Sequence, residues 1–287
     1  MSAVFRHELR SYFHSLTAYV FGAFLLAVVG LGSVLYNLQA AVSNFEFVLS
    51  FASIIFVVIV PILTMRTLAE ERRQRTDQLL YSLPITTTQV VLGKYLALLV
   101  VYLIPLAVIS LYPLLFSRFG DVYLPTSYGS LFAFFMMGAA LLAVGMFLSS
   151  LTDNQGFAAG IGIAAILLNY YSVSLAEYTS STAMGSLIAL YAIALLLGVV
   201  IHNLTRNENL AYGVAFVLIA ALSVAYFVNS SAFEGLLPDI MTKLSLFRQF
   251  NSFVNGAFDL TAIVYYVSVM GFFLFLSVQS LEKRRYN

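Results

Sequence analysis

The sequence predicts an all-α protein that crosses a membrane about eight times, and three observations carry that expectation. Hydrophobic residues make up 61% of the 287-residue chain and charged residues 9%, with a mean hydropathy of +0.93. A soluble domain is near half apolar and a quarter charged. Stretches free of Asp, Glu, Lys and Arg recur along the chain, each close to the ~20 apolar residues that a helix needs to cross hydrocarbon. The basic residues, finally, fall mostly on one side of that alternation.

The elements follow in chain order. Residues 4–16 set Phe5, Leu9, Tyr12, Phe13 and Leu16 on one helical face, opposite Arg6, His7, Arg10, Ser11 and His14. This is the pattern of an amphipathic helix lying on the inner leaflet; a soluble N-terminal turn is the plainer alternative. The apolar segment after it lacks an A-x-A cleavage pattern and reads as a retained span, not a signal peptide. The eight expected spans are about 17–37, 47–68, 91–116, 128–151, 156–176, 184–202, 209–228 and 260–281. Pro61, Pro105 and Pro113 fall inside spans two and three and are expected to kink them. The longest connection, 229–258, carries Leu236, Leu237, Ile240, Met241, Leu244, Phe247, Phe250 and Phe253, so short helices folded against the membrane surface are expected there.

Eight spans leave both termini on one side. With the N-terminus inside, eleven basic residues lie in the cytoplasm: Arg6, Arg10, Arg66, Arg72, Arg73, Arg75, Lys94, Arg206, Lys283, Arg284 and Arg285. Only Arg118, Lys243 and Arg248 lie outside. The bias predicts an N-in, C-in topology.

Several chemistries are missing from the sequence. No G-x-x-x-x-G-K-[ST] pattern occurs, Gly93-Lys94-Tyr95 being the nearest approach, so ATP does not bind this chain in that way. His7, His14 and His202 are scattered and show no metal-ligand spacing, and neither G-x-S-x-G nor H-E-x-x-H occurs. There is no cysteine, hence no disulfide or thiol chemistry. A net charge of +1 gives no electrostatic footprint for nucleic acid. No span carries Asp, Glu, Lys or Arg near its middle, where pumps keep their ion relays; coupling through neutral oxygens stays open.

Charge is instead crowded into one connection. Of 27 charged residues, six lie between Glu70 and Asp77. Thr76 is placed to cap a short helix over about 77–83, with Asp77 in its first turn. Leu79, Leu80 and Leu83 would form its apolar stripe, and Pro84 would end it. Thr86 to Gln89 has the capping-box spacing, so span three should start there, with Lys94 two turns in and able to snorkel back to the headgroups. The residues alone allow two readings: a basic loop tethered to anionic lipid, or a docking helix for a cytosolic partner. The acidic Glu70, Glu71 and Asp77 favour docking, because a lipid tether needs only Lys and Arg.

The same stretch resembles the membrane subunit of ABC-2 type transporters, which reads roughly E-E-[KR]-[KR]-x-G-T-x-E-x-L-L-x-[ST]-P-[VI]-[ST], then G-K. This chain supplies Glu70, Glu71, Arg72, Arg73, Thr76, Leu79, Leu80, Pro84, Ile85, Thr86, Gly93 and Lys94. It departs at Arg75, where glycine is usual, and at Gln78, where glutamate is usual. The start, HELRSYFHSLTAYVF, and the C-terminal stretch from LSLFRQF onward look like the branch associated with bacterial gliding motility.

The resemblance implies a six-helix core over 17–202 with a coupling loop at 70–88. Around it lie the interfacial helix 1–16 and a two-helix extension, 203–287, with the external loop 229–258. It implies that Glu70, Glu71, Arg72, Arg73, Thr76, Leu79, Leu80, Leu83 and Pro84 dock a separate cytosolic ATP-binding subunit, which would hold the ATP and Mg²⁺. Two membrane halves, identical or different, would form the pathway in the bacterial inner membrane. Spans two and five would line it with Ser50, Ser53, Thr64, Asn169, Tyr170, Tyr171, Ser172 and Ser174. For the last group, interfacial tyrosine anchoring is an equal alternative, and Gly156-x-x-x-Gly160 permits close helix packing. The function implied is the permease subunit of an ATP-driven exporter, with no catalytic residue or metal of its own. The alternatives are a stand-alone secondary carrier or channel, and a membrane scaffold that recruits a cytosolic complex.

Overall fold

The computed structural model describes residues 1–74, 86–205 and 207–285, and among these it is all-helical: 84% helix with no strand. The helices are α1 (Ser2–His14), α2 (Leu16–Gly32, extended by a π-helical segment Ser33–Gln39), α3 (Phe45–Ser53), α4 (Phe56–Thr64) and α5 (Ala69–Gln74). Then come α6 (Thr87–Ile109), α7 (Leu111–Phe116), α8 (Leu124–Ser150), α9 (Gln155–Tyr178) and α10 (Ala183–Thr205). The chain ends with α11 (Glu208–Val228), α12 (Leu236–Lys243), α13 (Leu246–Val254) and α14 (Leu260–Arg285). Among the described residues, six helical stretches are long and apolar enough to cross a membrane, beginning at Leu16, Thr87, Leu124, Gln155, Glu208 and Leu260. The pair α3 and α4, bent by 58°, makes a seventh if it is one span, and the apolar part of α10, Ala183–Val199, is shorter.

Span two breaks where its serines compete with the backbone. Ser53 Oγ donates to the Ser50 carbonyl at 2.7 Å, the acceptor that the Ile54 N–H would use in a regular helix. Ile54 N–H turns to Ala52 instead, and Val57 and Val58 bond three residues back, which tightens the turn. The 58° bend of span two lies at this break, and helix α4 continues through Pro61, as α6 continues through Pro105. Pro113 does act. Its ring has no N–H for the Ile109 carbonyl and crowds it, and α6 ends at Ile109.

The start of α6 matches its sequence signal. Thr86 is the N-cap, and its hydroxyl accepts from Gln89 N–H at 3.3 Å. Thr86→Ala should cost this turn about 1 kcal/mol, read as faster amide exchange at residues 87–89 with the rest of α6 unchanged.

Two compact units make up the chain: residues 1–170 with 249–287, and residues 171–248. In the first, α8 is the central helix, with 67% of its most apolar window buried. Tyr102 of α6 lies over Gly138 and donates to the Phe134 carbonyl at 2.8 Å. Tyr95 donates to the Ala139 carbonyl at 3.0 Å, Thr64 sits against Gly145, and Pro61 against Gly162. Close approach therefore runs through Gly138, Gly145 and Gly162; a Cβ at Gly160 would meet nothing within 4 Å. The last helix, α14, packs along α8, with Phe273 5.6 Å from Phe147.

Residues 229–258 do contain short helices, but Phe250 and Phe253 turn into the first unit instead of lying on a membrane surface. Phe250 is buried with its ring 5.8 Å from that of Phe134, and Ser130 Oγ donates to the Phe253 carbonyl at 2.9 Å. In the second unit α10 and α11 pair through Gly198, whose added Cβ would lie 3.0 Å from Ala215. Tyr191 and Ser223 hydroxyls meet at 2.7 Å. Gly235, at φ +70°, opens α12, and its N–H reaches the Ser181 carbonyl at 2.8 Å.

Candidate functional site

The charged connection leaves the bundle at the end that carries α1, and both of its ends are held by polar contacts. Beyond α4, Arg66 Nε donates to Glu70 Oε2 at 2.7 Å and Nη2 to Oε1 at 3.3 Å, while Nη1 donates to Thr17 Oγ1 at 2.8 Å. The hydrogen bond to Glu70 raises the guanidinium pKa against the opposing effect of burial. Ser149, at the end of α8, takes the N–H groups of Leu68 and Ala69 on its Oγ at 3.3 and 3.2 Å. The same hydroxyl donates to the Met65 carbonyl at 3.2 Å. These N–H groups have no partner inside α5, so Ser149 supplies what a local cap would.

On the far side of the connection, Thr87 Oγ1 donates to Glu282 Oε1 of α14 at 2.8 Å. Two turns further, Lys94 Nζ donates to Glu8 Oε1 of α1 at 2.7 Å. The expectation that Lys94 snorkels to the headgroups is therefore corrected: its side chain is 1% exposed and Glu8 is 14% exposed. Its neighbour explains why α1 comes so near. A Cβ on Gly93 would lie 3.1 Å from Val4 and 3.3 Å from the backbone nitrogen of Phe5, a tight fit that glycine relieves. The face of α1 with Val4, Phe5, Glu8, Leu9 and Tyr12 is the more buried one, and Arg6, His7, Arg10 and His14 are exposed. The amphipathic helix is there, with its apolar side packed on α6.

Of the expected docking residues, Glu70 pairs with Arg66, and Glu71, Arg72 and Arg73 continue α5. Thr76, Leu79, Leu80, Leu83 and Pro84, with the helix expected over 77–83, lie outside the described residues. Among the expected pathway residues, Ser50 and Ser53 meet at the bend of span two. The Thr64 hydroxyl donates to the Val60 carbonyl at 2.9 Å. Asn169 and Tyr170 close the first unit's part of α9, and Tyr171 and Ser172 open the second unit's; Tyr171 is exposed and the other three are half-buried.

The sequence reading passed over four polar residues. Glu8, Ser149 and Glu282 hold the connection, and Glu46 is buried at the start of α3. Glu46 accepts from Asn44 Nδ2 and, at 3.3 Å, from Ser127 Oγ. Its signal was a carboxylate between Phe45 and Phe47, just after an Asn able to start a helix. Among the described residues no group of three His, Asp or Glu side chains is placed to hold a metal ion.

The helices and their apolar lengths define a multi-pass membrane protein. The model of a family described as "ABC-2 family transporter protein" matches residues 26–176, and the chain belongs to that family. Members of that family are membrane permease components of ABC transporters, not themselves catalytic, and membership implies in general an ATP-binding subunit as partner. No curated protein and no solved structure matches the chain.

Proposed function

We propose that this chain is the permease subunit of an ATP-driven exporter in the bacterial inner membrane, worked by a separate ATP-binding subunit that docks on residues 70–88. The chain crosses eight times, N-in and C-in, with α3 and α4 as one broken span and α10 as another. The end carrying α1 then faces the cytoplasm, as its basic residues favour. Hydrolysis on the partner, which holds the ATP and Mg²⁺, displaces the connection and rocks this half against a second, identical or different half. Ser50 and Ser53 at the bend of span two, with Asn169, Tyr170, Tyr171 and Ser172, face the pathway. The resemblance of the stretches HELRSYFHSLTAYVF and LSLFRQF onward favours the gliding-motility-associated branch. The observation that carries this reading is the charged connection itself, both of whose ends are anchored to neighbouring helices by hydrogen bonds. Such a segment can pass a displacement on to the helices that hold it.

The test is Leu79→Asp with Leu80→Asp, which places two charges on the expected docking stripe. The ATP-binding subunit should no longer co-purify, while the permease still elutes as a monodisperse, helical protein. Recovery of the intact complex from this variant refutes docking at 70–88.

A further inference from the structure

The contacts around the connection form a closed path, and the last helix completes it. Leu68 and Ala69, where α5 begins, are held by Ser149 of α8. The next residue of α8, Ser150, gives its carbonyl to Ser280 Oγ of α14 at 3.1 Å. Two residues along α14, Glu282 takes the hydroxyl of Thr87, where α6 begins. The two ends of the connection are thereby tied to one another through α8 and α14. Ser149, Ser150, Ser280 and Thr87 are all buried, so water competes little for these bonds, and the one to the Glu282 carboxylate is of the stronger, charge-assisted kind. Residues 280 and 282 lie well outside the stretch 26–176 that the family model matches.

We propose that the end of α14 is a positioning element for energy coupling. Ser280 and Glu282 fix the start of α6 to the ends of α5 and α8, so that a push on the connection moves α4, α6 and α8 together instead of being absorbed between them. Neither residue touches nucleotide or substrate. The proposal rests on the reading that an ATP-binding subunit docks on residues 70–88.

The natural chain has no cysteine, so paired spin labels can be placed without background. Thr88, Gln279 and Phe157 are exposed and serve as label sites in the complex with its ATP-binding subunit. On trapping with ATP and vanadate, the Thr88–Phe157 distance should shift by about 2 Å or more while Thr88–Gln279 stays fixed. With Ser280→Ala and Glu282→Ala combined, ATP hydrolysis should stay within about two-fold of the parent, since neither residue meets nucleotide. The Thr88–Phe157 shift should be lost or the Thr88–Gln279 distance should become nucleotide-dependent. Glu282→Gln keeps an acceptor oxygen for Thr87 and should behave as the parent. Thr87→Val removes the donor at nearly constant shape and provides the same test if the double alanine variant does not fold. A parental response in both the alanine pair and Thr87→Val overturns the proposal. A parent complex whose Thr88–Phe157 distance ignores nucleotide also overturns the proposal and leaves docking standing, whereas an intact complex with Leu79→Asp and Leu80→Asp overturns the docking reading on which it rests.

Discussion

Gly138→Val should be among the most destabilising single substitutions in the bundle, costing about 3 kcal/mol, with Gly138→Ala at about 2 kcal/mol. A Cβ at this position would lie 2.5 Å from Tyr102 Oη and 2.6 Å from its Cε1 and Cζ. Tyr102 is fully buried and has nowhere to go. Its hydroxyl holds the Phe134 carbonyl, and the rings of Phe21, Phe56 and Phe135 surround it at 6.2, 5.8 and 5.9 Å. Displacing it would strain the packing and give up a buried hydrogen bond worth about 1 kcal/mol. Thermal unfolding in detergent, followed by loss of the monodisperse peak, reads the cost. Adding Tyr102→Phe to Gly138→Ala removes the oxygen clash but leaves the ring carbons, so rescue should be partial. Gly271→Ala is the control: its Cβ would meet nothing within 4 Å, so it should be neutral or, through helix propensity, slightly stabilising. Equal losses at Gly138 and Gly271 would mean that the close approach of α6 and α8 is not what holds them together.

That glycine marks a limit of what the sequence disclosed. Gly156-x-x-x-Gly160 permits close helix packing, yet within this chain a Cβ at Gly160 would meet nothing within 4 Å, and close contacts fall at Gly138, Gly145 and Gly162. Spacing shows that a helix has a smooth side; it does not show which neighbour lies there. The same limit holds for whole helices. The stretches at α8 and α11 have nearly equal hydropathy, 2.4 and 2.2, but 67% of one window is buried and 11% of the other. Lipid tails are as apolar as leucine, so composition identifies a span without saying whether protein or lipid covers it.

Local signals fared better because their physics is local. Thr86 with Gln89 placed the start of α6, and the alternation of Phe5, Leu9 and Tyr12 with Arg6 and Arg10 placed α1. The bend in span two was assigned to Pro61, whose effect is written in its ring. It falls instead at Ser53, whose hydroxyl is free in sequence to face anything and in the fold turns back on Ser50. The holders of the charged connection were illegible for a related reason. Glu8 and Glu282 read as ordinary charges near the two ends of the chain, separated from Lys94 and Thr87 by 86 and 195 residues. Only the packing of α1 and α14 beside α6 brings them together.

The Glu8–Lys94 pair offers the other large effect, and its size depends on whether one partner or both are removed. Lys94→Met leaves the Glu8 carboxylate against a buried, apolar replacement and should cost about 3 kcal/mol. The lower part of the usual range applies because Glu8 keeps 14% exposure and can turn toward water. Glu8→Leu alone should cost at least as much, since Lys94 is 1% exposed and an ammonium has no such escape from two turns inside α6. Together, Glu8→Leu and Lys94→Met replace the pair by apolar groups of similar volume, and most of the loss should disappear, because each charge was costly to desolvate. Thermal unfolding of the four proteins closes the cycle, and limited proteolysis within residues 1–15 locates the effect: the single variants should release α1 from Gly93, and the double variant should not. Additive losses in the double variant would show that Lys94 and Glu8 act separately, and that α1 is held by Val4 and Phe5 on Gly93 alone.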